Sequence, residues 1–461
     1  MAFNFLACDR DQELLLPPSL RDWLAEDHLA WFLIDAVSEI DLSAFLADYR
    51  EDGWGRPAFD PEVMVTLLLY AYAVGERSSR AIERRCREDV AFRVITGNAC
   101  PDHATIARFR QRHEQALAGV FSEVLRLCSE AGLLSVGLVA LDGTKLKANA
   151  SKEANRGYAE INREVERMLA EAAEADAAED ARLGQARGDE LPQELAERTS
   201  RRARLRQAKA KLEAEAREQR ADYEARLAER ARIEAERGRP LRGRKPKPPA
   251  EAPAPAARVN TSDPDSALMR TRDGFVQGYN AQAVVAEGQL IVAAELSTDS
   301  PDGRLLEPMI EAARAELAAI GIEHVPAVVV ADAGYWNVPQ IERVLAGGSD
   351  VLVSPISAVK SIAAEPNEER KPRAKRMQGR CLEMHEKLST PVGRELYARR
   401  KQLVEPVFAQ TKVVRRADRF QRRGFAACRS EWRLIAATHN LLKLWRCQHA
   451  VGPGKDPLPI P

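Results

Sequence analysis

Two aspartates each follow a short apolar run that is typical of a buried strand. Asp142 ends a run that begins at Val136, and Asp332 ends a run that begins at Ala327. Runs rich in Val and Leu are typical of central strands in a covered sheet, and open α/β sheets bind their ligands at the carboxyl ends of such strands. The sequence therefore predicts that both strands end on a carboxylate and that the two carboxylates meet at one edge of a sheet.

Paired carboxylates at a sheet edge are suited to metal-dependent phosphate chemistry. Mg²⁺ takes oxygen ligands, and two ions about 3.5–4 Å apart activate an attacking hydroxyl and stabilise the leaving oxygen. Taken alone, Asp142 or Asp332 is better explained as an aspartate that caps a turn. Their matching positions at two strand ends, together with a third acid later in the chain, favour a metal site.

The segments around these aspartates alternate between strand-like and helix-like patterns. The predicted elements are a hairpin at 275–285 and 290–296, helices at 304–320 and 336–345, a strand at 350–354, and basic helices at 394–420 and 431–445. This order resembles the RNase H-like fold, which should supply the third acid from a late helix. We therefore expect an α+β or α/β mixed-sheet catalytic domain, formed by residues 133–152 and 258–446.

The pattern of residues 1–132 predicts an all-helical domain. Asp60 and Pro61 have the types preferred at the cap and the first position of a helix. A later helix, predicted over 102–114, would present Arg108 and Arg112 on one face because they are four residues apart. A DNA-reading helix-turn-helix and an ordinary bundle with solvated arginines explain this pattern equally well.

Residues 153–257 differ sharply in composition from the segments on either side. They are rich in Ala, Glu and Arg and carry a sparse apolar stripe at helical spacing, which predicts an inserted helical hairpin or short coiled coil. A Pro- and Arg-rich tether with the sequence Arg-Gly-Arg-Pro follows at 237–240. A solvated tether is favoured over a strand lying in the minor groove of DNA. Residues 447–461 are predicted to form a flexible tail.

Composition limits the class of protein. The 69 basic and 69 acidic residues cancel, but residues 394–446 carry fourteen Lys and Arg against four acids, which is typical of a polyanion-binding segment. The seven cysteines are scattered without a CxxC pair, as expected for a reducing cytoplasm. We find neither a signal-peptide pattern nor an apolar run of membrane-spanning length, so a cytoplasmic location without a membrane partner is expected.

Several motifs together resemble bacterial insertion-sequence DDE transposases of the IS-four/IS-five-like superfamily. The late segment carries the family's signature as Tyr397, Arg400, Glu405 and Lys412. Arg400 lies five residues before Glu405, one more than in the strict signature, so either Arg400 or Lys401 could be the phosphate contact. The other matching motifs are Gly55-Arg56-Pro57, Ser78-Ser79-Arg80, residues 101–110, Gly278-Tyr279-Asn280-x-Gln282 and His439-Asn440-Leu441.

The resemblance implies a site and an activity. Asp142, Asp332 and Glu405 would be the catalytic residues and the ligands of two Mg²⁺ ions, for which Mn²⁺ can substitute. Pro406 should kink the helix at Glu405 or place Glu405 at a helix start, because proline inside a helix costs about 3 kcal/mol. The implied DNA contacts are Tyr397, Arg400, Lys412, Trp336, Arg108 and Arg112, although Trp336 fits a core position equally well.

The implied activity is DNA transposition. The protein would bind the terminal inverted repeats of its element as a homodimer, hydrolyse phosphodiester bonds there and transfer the strands to target DNA. Two alternatives stay open at this point. One is an RNase H-like nuclease that does not integrate DNA, and the other is a DNA-binding regulator without enzymatic activity.

Overall fold

A computed structural model describes residues 19–49, 57–168, 170, 201–241, 246–250, 252–254, 257–271, 274–355 and 379–450. The chain divides into two compact units. The first comprises Met1–Ser135, Ala319–Ile322 and Arg433–Pro461, and the second comprises Val136–Ala318 and Glu323–Trp432. The predicted catalytic domain ran to residue 446, so this division assigns its last fourteen residues to the first unit instead.

The first unit is helical throughout its described N-terminal part, as predicted. Asp60 accepts a hydrogen bond from the Glu62 amide, and Pro61 occupies the first helical position. Asp102 likewise caps its helix by accepting from the Thr105 amide. The helices are α1 (Leu29–Ser38), α2 (Ser43–Leu46), α3 (Pro61–Ala73), α4 (Ser79–Glu88), α5 (Val90–Ile95), α6 (His103–Arg112) and α7 (Glu114–Glu130). Of the Gly55-Arg56-Pro57 motif, residues 55 and 56 lie outside the described residues.

The second unit contains a mixed six-stranded sheet, which is the predicted RNase H-like arrangement. Its strand order is β4-β5-β1-β7-β8, with β6 also paired to β5. β1 runs antiparallel to β5 and parallel to β7, and β7 runs parallel to β8. The strands are β1 (Leu138–Lys147), β4 (Ala267–Thr271), β5 (Gly274–Ala286), β6 (Ile291–Ser297), β7 (Val328–Ala331) and β8 (Asp350–Val353), and β2 (Asn155–Gly157) and β3 (Arg258–Asn260) form a separate ladder.

The prediction that the first strand ends at Asp142 is wrong. β1 continues to Lys147 because β5 pairs with it over the whole stretch from Val139 to Lys147. Only the parallel partner β7 stops, at Ala331. A long hairpin neighbour can therefore extend a strand beyond its apolar run, since backbone pairing does not require apolar side chains.

The insertion contains the predicted long helix. Residues 158–168 are helical (α8), and α9 spans Arg201–Arg237. A small apolar cluster is formed by Ile161, Val165, Leu205, Ala208, Leu212 and Val259. The cluster lies near the β2–β3 ladder, and most of α9 beyond it is exposed. Residues 171–200 of the insertion and 242–245 of the tether lie outside the described residues.

The C-terminal helices exclude one of the two predicted placements of Glu405, a helix start, and shift the predicted start of the tail. α10 (Leu306–Ala319) and α11 (Val338–Ala346) flank β7, and α12 (Arg380–Ser389), α13 (Pro391–Ala409) and α14 (Phe425–Ala450) follow β8. Pro406 lies inside α13 rather than at a helix start, and the helix passes into a π-helical turn at Gln410–Val414. The carbonyl of Gln402, which Pro406 cannot pair, accepts from the Gln289 side chain at 3.0 Å. α14 continues through Ala450, past the predicted start of the tail at 447.

None of the helices in the described part of the chain has the length and hydrophobicity of a membrane span.

Candidate active site

Asp142 and Asp332 lie side by side at the edge of the sheet. The parallel register pairs Leu141 of β1 with Ala331 of β7, so the next residue on each strand is the aspartate. Asp332 then caps the short 3₁₀ turn Ala333–Tyr335 by accepting from the Gly334 amide at 2.8 Å. The predicted meeting of the two carboxylates is therefore present in the fold, although only one of the two strands ends there.

Asp142 is held by two donors and lies in a poorly solvated environment. Its Oδ1 accepts from the Gly143 amide at 2.8 Å, and its Oδ2 accepts from the Arg400 guanidinium at 3.2 Å. The pKa of Asp142 is raised to about 6, chiefly by burial and also by the charges of Asp332 and Asp302, against the lowering effects of Gly143 and Arg400. Burial therefore contributes more to this raised pKa than the neighbouring acids do.

Asp302 is a third acid near this pair, and the sequence analysis did not identify it. Its Oδ1 accepts from Asn280 at 2.7 Å, from Gln282 at 2.9 Å and from Lys145 at 3.3 Å. The Tyr335 hydroxyl donates to Gln282 and fixes the orientation of its amide. The available signal was the presence of Asn280 and Gln282 among the buried residues of β5, because buried amides require a polar partner.

Gly334 keeps the space between two of these carboxylates open. A Cβ atom at position 334 would lie 2.9 Å from Asp332 Oδ1 and 3.8 Å from Asp302 Oδ2. Any larger residue would therefore push against Asp332. Asp332 and Asp302 thus border this space with carboxylate oxygens, the ligand type that a divalent cation with a preference for oxygen takes.

Three residues of the predicted DNA contacts lie close to the aspartate pair or to the strand beyond it. Arg400 reaches Asp142, whereas Lys401 is exposed, which identifies Arg400 as the basic residue at the site. Tyr397 bonds with Ser354, and its pKa is raised by burial and, to a lesser extent, by the charge of Asp332. Lys412 donates to Thr144 Oγ1 at 2.7 Å, and burial lowers the pKa of its ammonium group.

Glu405 is not brought together with the two aspartates. It lies five residues after Arg400, which is about 140° around α13 from the side chain that reaches Asp142. The neighbouring side chains Leu403 and Val404 are buried, whereas Glu405 is exposed. Among the described residues, no group of three or more His, Cys, Asp and Glu side chains is arranged to hold a metal ion.

The remaining predicted contacts lie at exposed or partly exposed positions. Trp336 follows the 3₁₀ turn and is half-buried. In the first unit, Arg108 and Arg112 are both exposed on α6, as their spacing predicted. Arg110 between them is buried and donates to the carbonyl of Arg77 at 2.9 Å, which makes it a structural residue.

Two protein families match this chain. Residues 18–112 match the family described as Transposase domain (DUF772), and residues 257–441 match the family described as Transposase DDE domain. The chain belongs to the insertion-sequence DDE transposases. Both families act in DNA transposition, so the transposase is expected to bind DNA and to use divalent metal ions.

The matched segments cover the site unevenly. The DDE match includes Asp332 and Glu405 but begins after the insertion, so it does not reach Asp142. The assignment of Asp142 therefore depends on the register of β1 against β7. None of the curated proteins matches the transposase, and neither does any of the solved structures.

Proposed function

We propose that the transposase binds the ends of its insertion sequence, hydrolyses phosphodiester bonds there and joins the freed 3′-hydroxyls to target DNA. The observation that carries this proposal is the adjacent pair Asp142 and Asp332 on parallel strands. Asp142 is bonded to Arg400, so the pair combines two metal-binding carboxylates with a cation that can contact phosphate. A sheet edge with this composition suits metal-dependent phosphodiester chemistry.

The proposed metal site takes two Mg²⁺ ions, for which Mn²⁺ can substitute. Bound ions would lower the pKa of an attacking water or 3′-hydroxyl and stabilise the leaving oxygen. The protein's own part is to hold Asp142 and Asp332 in place through Gly143, Arg400 and Gly334. We propose that Arg400, with Tyr397 and Lys412, positions the DNA backbone beside the carboxylates.

Two acids compete for the third ligand position. The family signature favours Glu405, which is exposed on the helix that carries Arg400. The electrostatic proximity to Asp142 favours Asp302, but one of its oxygens is already occupied by three donors. We retain Glu405 as the proposed third acid and assign Asp302 the role of orienting Asn280, Gln282 and Lys145 beneath the site.

The decisive experiment incubates the full chain with labelled DNA from the element's ends, an unlabelled target plasmid and Mg²⁺. Transposition requires products in which the labelled 3′ end is joined to the plasmid. Cleaved ends without joined products would support the nuclease alternative, and binding without cleavage would support the regulator. Asp142→Asn is the matched inactive control, and size measurement of the complex tests the proposed homodimer.

A further inference from the structure

A cavity of about 570 Å³ lies beyond the far end of β1, away from the aspartate pair. Lys147, the last residue of β1, borders the cavity. Lys152, in the 3₁₀ turn that follows, borders it as well. Arg419 and Arg423 border it from the segment between the π-helical turn and α14, and Phe275 borders it from the start of β5. All of these residues belong to the second unit.

The wall of this cavity is basic. Four cationic side chains border it, and Glu153 is the one acidic residue among its described lining residues. Lys147 also pairs with Asp418 at 3.2 Å, but both side chains are about half exposed, so solvent screens that pair strongly. Arg423 donates a hydrogen bond to the carbonyl of Asn149, which fixes the position of the guanidinium group. Because a carbonyl is neutral, this contact does not neutralise the charge of Arg423. The cavity therefore favours an anionic ligand.

Phe275 adds an aromatic surface to this charge. Its side chain is 59% exposed, an unusual position for an aromatic residue of this size. A second cavity of about 560 Å³ also borders Phe275, but its Lys211 is paired with Asp265 at 3.3 Å and with Glu215 at 3.9 Å. An exposed aromatic ring beside several cationic side chains is the combination with which proteins bind unpaired bases and their phosphates.

The cavity and Asp142 lie at different points along the same strand, β1. Lys147 is five residues beyond Asp142 on one strand, about 17 Å at the rise of an extended chain. That distance corresponds to about five nucleotides at the 3.4 Å rise of duplex DNA, and to fewer nucleotides of an extended unpaired strand. The volume is that of a small-ligand pocket, large enough for a nucleotide and too small for a duplex.

We infer that the cavity binds an unpaired nucleotide of the DNA strand, at most about five nucleotides from the phosphate that is cut. The base stacks on Phe275, and Lys147, Lys152 and Arg423 contact its phosphates. The inference rests on the proposed function, because it takes the scissile phosphate to lie at Asp142.

The test compares two fluorescent DNA probes bound to the full chain in EDTA, which prevents cleavage. One probe is a blunt duplex, and the other is the same duplex with an eight-nucleotide unpaired 3′ tail. We expect Phe275→Ala to weaken binding of the tailed probe about ten-fold and to leave the blunt probe within two-fold. Phe275→Trp should restore the affinity. Leu268→Ala is the matched control, because Leu268 is 50% exposed on the adjacent strand and lines only the second of the two cavities.

Each outcome decides the matter. Unchanged affinity of Phe275→Ala for the tailed probe overturns the inference but leaves the proposed function intact, provided that the wild type binds both probes. Equal losses on both probes also overturn it, since the ring would then support the fold or contact duplex. A change in oligomeric state caused by Phe275→Ala would identify the ring as a protein contact instead. Absence of any DNA binding by the wild type would overturn the inference together with the proposed function.

Discussion

The edge of the sheet and helix α6 use charged side chains in opposite ways. At the edge, Asp142 and Arg400 are mostly buried and bonded to each other, so their orientation is fixed before any substrate arrives. On α6, Arg108 is exposed and donates only weakly to its own helix, at 3.3 Å to the Ala104 carbonyl and 3.4 Å to Thr105. Fixed charges suit chemistry, which needs exact geometry, and exposed ones suit the recognition of a partner surface.

The largest effects should therefore come from the fixed charges. We expect Asp142→Asn and Asp332→Asn each to reduce the cleavage rate at least about a thousand-fold, since metal ions contribute several kcal/mol of transition-state stabilisation. Binding of end DNA should stay within a few-fold of wild type. Cleavage at more than one tenth of the wild-type rate by either variant, measured with labelled end DNA and Mg²⁺, would remove that residue from the site.

A comparison of Glu405→Gln with Asp302→Asn should identify the third acid. We expect Glu405→Gln to match the loss of the aspartate variants. Asp302→Asn should reduce cleavage by only about ten-fold, because asparagine keeps an oxygen that can accept from Asn280 and Gln282. If Asp302→Asn loses more cleavage activity than Glu405→Gln, Asp302 is the third acid. Glu405 is then an exposed residue outside the site.

A smaller loss is expected when the space between the carboxylates is filled. Gly334→Ala places a Cβ atom 2.9 Å from Asp332 Oδ1, which must displace that carboxylate. We expect the cleavage rate to fall about ten- to a hundred-fold, with weaker Mn²⁺ binding measured by calorimetry. Gly119→Ala is the control, because nothing lies within 4 Å of the position of its Cβ. Equal Mn²⁺ affinities of Gly334→Ala and wild type would show that Gly334 does not shape the site.

Local patterns predicted the elements and the aspartate pair but not the geometry that depends on pairing between distant segments. The apolar runs before Asp142 and Asp332 were sufficient to predict their strands, because buried central strands have a strong sequence pattern. The extension of β1 and the position of Asp302 depend on β5 and on a loop, which no local pattern reports. Glu405 is exposed in a helix that continues through Pro406. The carbonyl of Gln402, which has no amide donor at Pro406, accepts a hydrogen bond from the side chain of Gln289, in a distant part of the chain.

The smallest expected effect concerns how binding and reading of DNA are divided. Lys412 is half-buried beside β1 and should contact the backbone, so Lys412→Ala should weaken specific and random DNA alike and lower the salt dependence of binding by about one unit of slope. Arg108 is exposed and suited to a base edge, so Arg108→Ala should lower the preference for end DNA over random DNA about ten-fold. Competition binding at two salt concentrations measures both quantities. The opposite result would be that Arg108→Ala weakens binding of end and random DNA equally, while Lys412→Ala lowers the preference for end DNA. In that case the residues at the sheet edge, and not those of α6, recognise the DNA sequence.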